Sequence, residues 1–380
     1  MEKIKTSATP ISWVYAAVII YASLFPFVGW RNQAIYPWEF LFAPFPNYWT
    51  GYDLLINLLG YIPFGFFLTL ADLRVNKKTR KSIGNNWVFA IVLSLILEAI
   101  QTYLPSRVPS TIDFLLNSLG ACIGACIAYY FEKHRIIDSW NQFRYRWLIK
   151  DSVGPFACLM IWPLAIVYPP TIPFLMGNII WGIKSKLSQI FIESALGEMF
   201  NLNNQIQGQI TFWESLACVA TGLLVPIFLG YCIVPMQRHR MWLILIVASV
   251  GASALMISST LTFGIMHVFS WVSLIVCIGY FLATAFALAF IKASTKSTQF
   301  FVLALIIVHL IFTNGISTDV YLAQSIQIWD QARNARFIGL TQWVGWTWPY
   351  IVFMLVLLRL LDKKLNKTYT NENTNKNQMI

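Results

Sequence analysis

The chain has 380 residues, of which 57% are hydrophobic and only 11% charged, against about 25% charged in soluble domains. That composition excludes a soluble multi-domain enzyme and predicts an all-α, polytopic transmembrane helical bundle. The formal net charge of +11 reads as Lys and Arg gathered in cytoplasmic loops, not as a nucleic-acid footprint.

In chain order, residues 1–11 form a short polar N-terminus and 11–28 a first apolar run. That run is too long for a signal-peptide core and lacks a cleavage site, so it is a retained span. Residues 29–50 are rich in Pro and aromatics, the composition of a segment at the membrane interface. Further spans follow at 52–70, 87–104 and 110–131, with a basic loop at 74–81. The spacing Gly120, Gly124, Ala125, Ala128 makes a small-residue stripe on the last of these. A basic loop at 132–152 separates the four-span unit 12–131 from a six-span unit at 153–361. Within the latter, spans are predicted at 153–168, 212–234, 241–258, 268–291, 300–314 and 346–361, giving about ten in all. Two external connections, 171–211 and 315–342, interrupt it. Apolar residues at helical spacing predict an external amphipathic helix over 179–198. Residues 362–380, rich in Asn, Lys and Thr, form a disordered cytoplasmic tail. No internal repeat is evident, which counts against an inverted-repeat transporter.

The six cysteines all fall inside apolar runs. Cys122 and Cys126 have no further ligand cluster beside them, so no zinc site is predicted. His309 lies inside an apolar span, where a ring hydrogen-bonded to a neighbouring helix would be inert.

The unusual residues cluster between 53 and 124. Asp53 and Asn57 are four apart on one helix face, Glu98 and Gln101 three apart, and Asp113 and Asn117 four apart. Each span therefore carries a carboxylate with an amide one turn away. Pro105 and Pro109 bracket Arg107 in a short turn. Three carboxylates facing one arginine in a partly desolvated cleft could supply a general acid or base, or a polar binding site. On this reading Asp53, Glu98, Arg107 and Asp113 are candidate catalytic residues, and Asn57, Gln101 and Asn117 candidate ligand-binding residues. The alternative is that the cluster ties three helices together. A hard cation could also suit the oxygen groups, but no dedicated metal-ligand set is present and no cofactor is indicated.

The pattern Asp-x3-Asn-x2-Gly-Tyr-x-Pro-x-Gly, then Glu-x2-Gln-x3-Pro-x-Arg, then Asp-x3-Asn-x2-Gly-x3-Gly resembles the VanZ-like family of integral membrane proteins. The resemblance covers roughly residues 12–131. It implies a bacterial cell-envelope protein of the teicoplanin-resistance type, with membrane lipids or a lipid-linked glycan or peptidoglycan precursor as partner. Whether such a protein catalyses or only binds is left open by the residues. A transporter or flippase of an envelope precursor and a non-enzymatic assembly factor are the alternatives. The transporter reading is weakened because ionisable residues, His309 apart, concentrate at one membrane face.

With ten spans and a cytoplasmic N-terminus, 21 of the 27 Lys and Arg fall in cytoplasmic segments. Only Arg31, Arg107, Lys184, Lys186, Arg333 and Arg336 fall outside. The bias predicts a multi-pass protein of the inner (cytoplasmic) membrane with both termini cytoplasmic and the polar cluster at the outer face. Reporter fusions at residues 190 and 325 should report an external location and one at 375 a cytoplasmic location. A cytoplasmic signal from 325 contradicts the arrangement.

Overall fold

The computed structural model describes residues 8–25, 27–43, 51–76, 79–149, 151–168, 172–180, 183, 211–315 and 335–362. All regular structure in these residues is helical. The helices are α1 (Ala8–Leu24), α2 (Gly51–Asn76), α3 (Thr79–Gln101), α4 (Thr111–Lys133), α5 (Ile136–Trp147), α6 (Val153–Val167), α7 (Phe212–Tyr231), α8 (Gln237–Phe263), α9 (Leu274–Ala289), α10 (Thr295–Gly315) and α11 (Ala335–Leu361). Seven of them, α2, α3, α4, α7, α8, α10 and α11, are long and apolar enough to cross a membrane. The chain is thus a multi-pass membrane protein.

The figure of ten spans is approximate. Helices α1, α6 and α9 are apolar but have only 17, 15 and 16 residues, about 22–26 Å of rise against a hydrocarbon layer of about 30 Å. Several helices outrun their apolar windows. Helix α3 starts at Thr79, α8 at Gln237 and α11 at Ala335, because polar residues at a helix end can reach water and need not break the hydrogen-bond ladder. The stretch read as a basic loop after α4 contains α5. Most of the amphipathic helix expected over 179–198, most of the connection 315–342 and the tail beyond residue 362 lie outside the described residues.

The chain divides into two compact units, Met1–Phe143 and Arg144–Ile380. In unit 1, α2 and α4 make the most extensive contact, α3 packs against both, and α1 lies against α2 and α3. Helices α2 and α4 run parallel, since Leu58 meets Gly120 and Ile62 meets Gly124. Glycine is required at this contact. A Cβ at Gly124 would sit 2.0 Å from the Ile62 carbonyl oxygen, and one at Gly120 2.2 Å from that of Leu58. The small-residue stripe therefore lets two backbones touch. At the end of unit 1 where α2 closes, Arg74 pairs with Glu132 and Asp138 at 3.4 and 3.1 Å.

In unit 2, α7 is the central element, buried along most of its length and packed by α6, α8, α9 and α10. Helix α11 packs on α6 and α10. One segment departs from the expected connection. Residues 172–178 are not helical, yet Ile172, Phe174, Leu175, Met176, Gly177 and Asn178 are all buried. The chain leaves α6 and folds back into the bundle, so the connection begins later than residue 171.

The glycine contact yields a paired test. Gly124→Ala should cost about 1–3 kcal/mol through overpacking, read as a lower melting temperature of the purified protein. Gly60→Ala, at a position with nothing within 4 Å, should be neutral or mildly stabilising. Equal effects would contradict the α2–α4 contact.

Candidate functional site

The end of unit 1 at which α3 closes and α4 opens carries most of the candidate residues. Ser110 caps α4, its side chain accepting from the Ile112 amide at 3.2 Å. The amide of Ser110 in turn donates to the Glu98 carboxylate at 3.1 Å. Glu98, only 3% exposed, thus places its negative end on the positive N-terminus of α4. Asp113 follows in the first turn of the same helix, where a carboxylate is also favoured.

Arg107 serves the opposite pole of another helix. Its guanidinium donates to the carbonyls of Phe25 and Ala22 at the end of α1, the Nε bond measuring 3.0 Å. Gln101 donates from the end of α3 to the Ser23 carbonyl at 3.2 Å. The last carbonyls of a helix have no partner within it, so Arg107 and Gln101 together close α1. The segment after α1 folds over this end. Arg31 N donates to the Tyr103 carbonyl at 3.0 Å, Gln33 to that of Thr102 at 2.7 Å, and Thr111 to that of the buried Phe40.

One turn deeper lies a second set. Asn117 donates to the Ser94 hydroxyl at 3.0 Å. The Tyr61 hydroxyl lies beside Ser94, short of hydrogen-bond geometry, and within electrostatic range of Glu98. Two polar atoms here are buried without a hydrogen-bond partner: the Tyr61 hydroxyl and the Asn117 Oδ1. Buried polar atoms are nearly always satisfied, so this pair stands out at this end of unit 1. Asn117 stands six residues inside α4, about 9 Å from its start.

The structure thus gathers Glu98, Gln101, Arg107 and Asp113 at one end of unit 1, with Asn117 below them. Asn57 is half-buried on α2. Asp53 lies in the first turn of α2, but its side chain is outside the described residues. Two participants escaped the sequence reading. Ser94 is one turn before Glu98 on α3, a spacing that signalled a shared face, and Tyr61 stands within the quoted motif. A short internal repeat also escaped it. Asp53, Asn57 and Gly60 on α2 recur as Asp113, Asn117 and Gly120 on α4, each sixty positions later. Parallel packing sets the two copies side by side, so this is a parallel repeat and not an inverted one.

Unit 2 holds a second buried arginine. Arg240, 4% exposed, donates to the carbonyls of Val234, Ile291 and Ala293 at 2.8 Å and to Tyr231 at 3.1 Å. It also stacks on the Tyr231 ring, 4.8 Å from the centroid. It closes the ends of α7 and α9 as Arg107 closes α1. His309 is fully engaged, with Nδ1 2.8 Å from the Thr221 hydroxyl and Nε2 accepting from the Met176 amide at 3.4 Å. Thr221 donates to the Ala217 carbonyl at 2.6 Å, which assigns the ring proton to Nδ1.

Hydrogen bonds to charged groups contribute about 1.5–3 kcal/mol. Arg107→Ala should therefore lower stability by about that amount, and Arg240→Ala by more, since four carbonyls lose their donor. Melting temperatures of the purified variants give the order, and the reverse order contradicts these assignments.

No curated protein and no solved structure matches the chain. Residues 5–132, the N-terminal third of the chain and nearly all of unit 1, match the family model described as VanZ/LLP1.

Proposed function

We propose that unit 1 binds the polar headgroup of an envelope lipid, or of a lipid-linked glycan or peptide, in the cleft between α2, α3 and α4. The carrying observation is the pair of partnerless buried atoms, Tyr61 OH and Asn117 Oδ1. One donates and one accepts, so together they suit a hydroxyl, amide or sugar group, which does both. Glu98, whose carboxylate accepts from the Ser110 amide, stands above them. Asn57, Gln101, Arg107 and Asp113 form the rim, with Asp53 in the first turn of α2. The charge bias across the spans supports an orientation with this end at the outer leaflet of the cytoplasmic membrane and both termini on the cytoplasmic side. There the protein meets membrane lipids and peptidoglycan precursors. Masking or altering such a target would lower susceptibility to teicoplanin, as the VanZ-like segment suggests.

A second reading has its own support. Arg107, Gln101 and Glu98 each hold a helix end, so the signature could serve assembly of the bundle alone. The two readings separate on the residues that close no helix end, Tyr61 and Asn117. Tyr61→Phe removes one unpartnered oxygen, so stability should stay within about 1 kcal/mol or rise. Asn117→Ala also breaks the bond to Ser94 and is the more disruptive of the two. If the cleft binds ligand, a host expressing Tyr61→Phe should lose teicoplanin tolerance while the protein accumulates normally. Unchanged tolerance with either variant at normal expression favours the scaffold.

A further inference from the structure

The buried segment 172–178 of unit 2 is held with unusual firmness. Phe174 has φ of 66°, in the left-handed region that a bulky residue rarely adopts. It is 0% exposed, and two glycines make its place. A Cβ at Gly222 would lie 2.6 Å from Phe174 Cβ, and one at Gly251 3.2 Å from its ring. The backbone around it is pinned. Gly177, itself at φ of 87°, donates to the Gly345 carbonyl at 2.9 Å. Its own carbonyl accepts from Tyr350 at 2.9 Å and Asn314 at 3.3 Å. Gly222 lies ten residues into α7 and Gly251 twelve before the end of α8, about 15–18 Å along each helix. Phe174 therefore stands near mid-depth. Non-helical backbone is tolerated there only where protein or a cavity covers it, and transport and binding sites favour such breaks.

From Phe174 a file of aromatic rings runs toward the turn before α9. Trp162 stacks on Phe174 at 6.0 Å between centroids, Phe174 meets Tyr280 at 5.6 Å, and Tyr280 meets Trp271 at 6.2 Å. Three of the four carry a donor, and none of those donors has a partner: Trp162 Nε1, Tyr280 OH and Trp271 Nε1 are all buried and unbonded. Trp162 itself is 1% exposed. Buried indole and phenol groups normally find acceptors, and three failures along one file point to an acceptor that is not part of the chain. The file lies within the hydrophobic core of unit 2, where an ionised group would be costly. Its Trp271 end adjoins a turn that exposes Ile265, Met266 and Phe269, an apolar lip.

We propose that this file is a second binding site, distinct from the cleft of unit 1, which takes the uncharged ester carbonyls of a glycerolipid inserted between α8 and α9. The Tyr280 phenol and the Trp271 indole, adjacent in the file at 6.2 Å, donate to the carbonyl oxygens, and the ring faces pack the adjoining acyl carbons.

Ether lipids keep the headgroup and chains but lack the carbonyls, which isolates the claim. The full chain, purified in detergent, is offered an equimolar mixture of diester and diether phosphatidylglycerol of equal chain length. Native mass spectrometry then counts the bound species. The wild type should retain the diester several-fold over the diether. Tyr280→Phe and Trp271→Phe, which delete a donor and keep an aromatic ring, should bring the ratio close to one. Each variant is checked for an unchanged melting temperature. An equal ratio in the wild type, as for annular lipid only, overturns the proposal. So does a preference that survives both well-folded variants.

Discussion

A helix that ends inside or beside a bilayer leaves carbonyls with neither an intrahelical partner nor ready water. The architecture of this chain depends on how those ends are closed. In unit 1, Arg107 and Gln101 reach from the α3–α4 turn to the last carbonyls of α1, and Glu98 accepts from the amide of Ser110, the cap of α4. In unit 2, Arg240 binds four carbonyls belonging to two helix ends. The guanidinium suits this task because it stays charged and presents several donors in a fixed fork. Its burial is tolerated because carbonyl dipoles replace hydration.

Closing the ends fixes where the helices stop, and backbone contact fixes their register. The meeting of Leu58 with Gly120 and Ile62 with Gly124 allows no sliding, since each glycine faces a carbonyl at less than van der Waals distance from any added carbon. With α2 and α4 locked in parallel, Tyr61 and Asn117 are brought to one level beside Ser94 of α3. The polar atoms left over after the caps are satisfied thus sit at a defined depth, on a rigid frame.

Much of this was legible in the sequence, and the reasons for the rest are physical. Apolar runs of the right length disclosed every membrane-type helix among the described residues, and the spacing of carboxylate and amide marked the end of unit 1 as unusual. Arg240 was counted only as a charge on a loop, because charge counting cannot tell a solvated arginine from one that caps a neighbour. Residues 172–178 contain Pro and lie between apolar runs, so they read as a connection. Their burial follows from long-range contacts with Gly222, Gly251 and Gly345, which no local period encodes. Tyr61 and Ser94 were in view, but their importance rests on which partners remain free after packing. His309 behaved as a ring tied on both sides should.

The measurement that bears most directly on the cleft is an experimental structure of the full chain in nanodiscs made from bacterial envelope lipid. The account predicts density for a headgroup between α2, α3 and α4, within hydrogen-bond distance of Asn117 Oδ1 and the Tyr61 hydroxyl. If those two atoms instead bond to each other or to protein groups, and the space between the helices is closed, the claim that unit 1 is a binding site is contradicted.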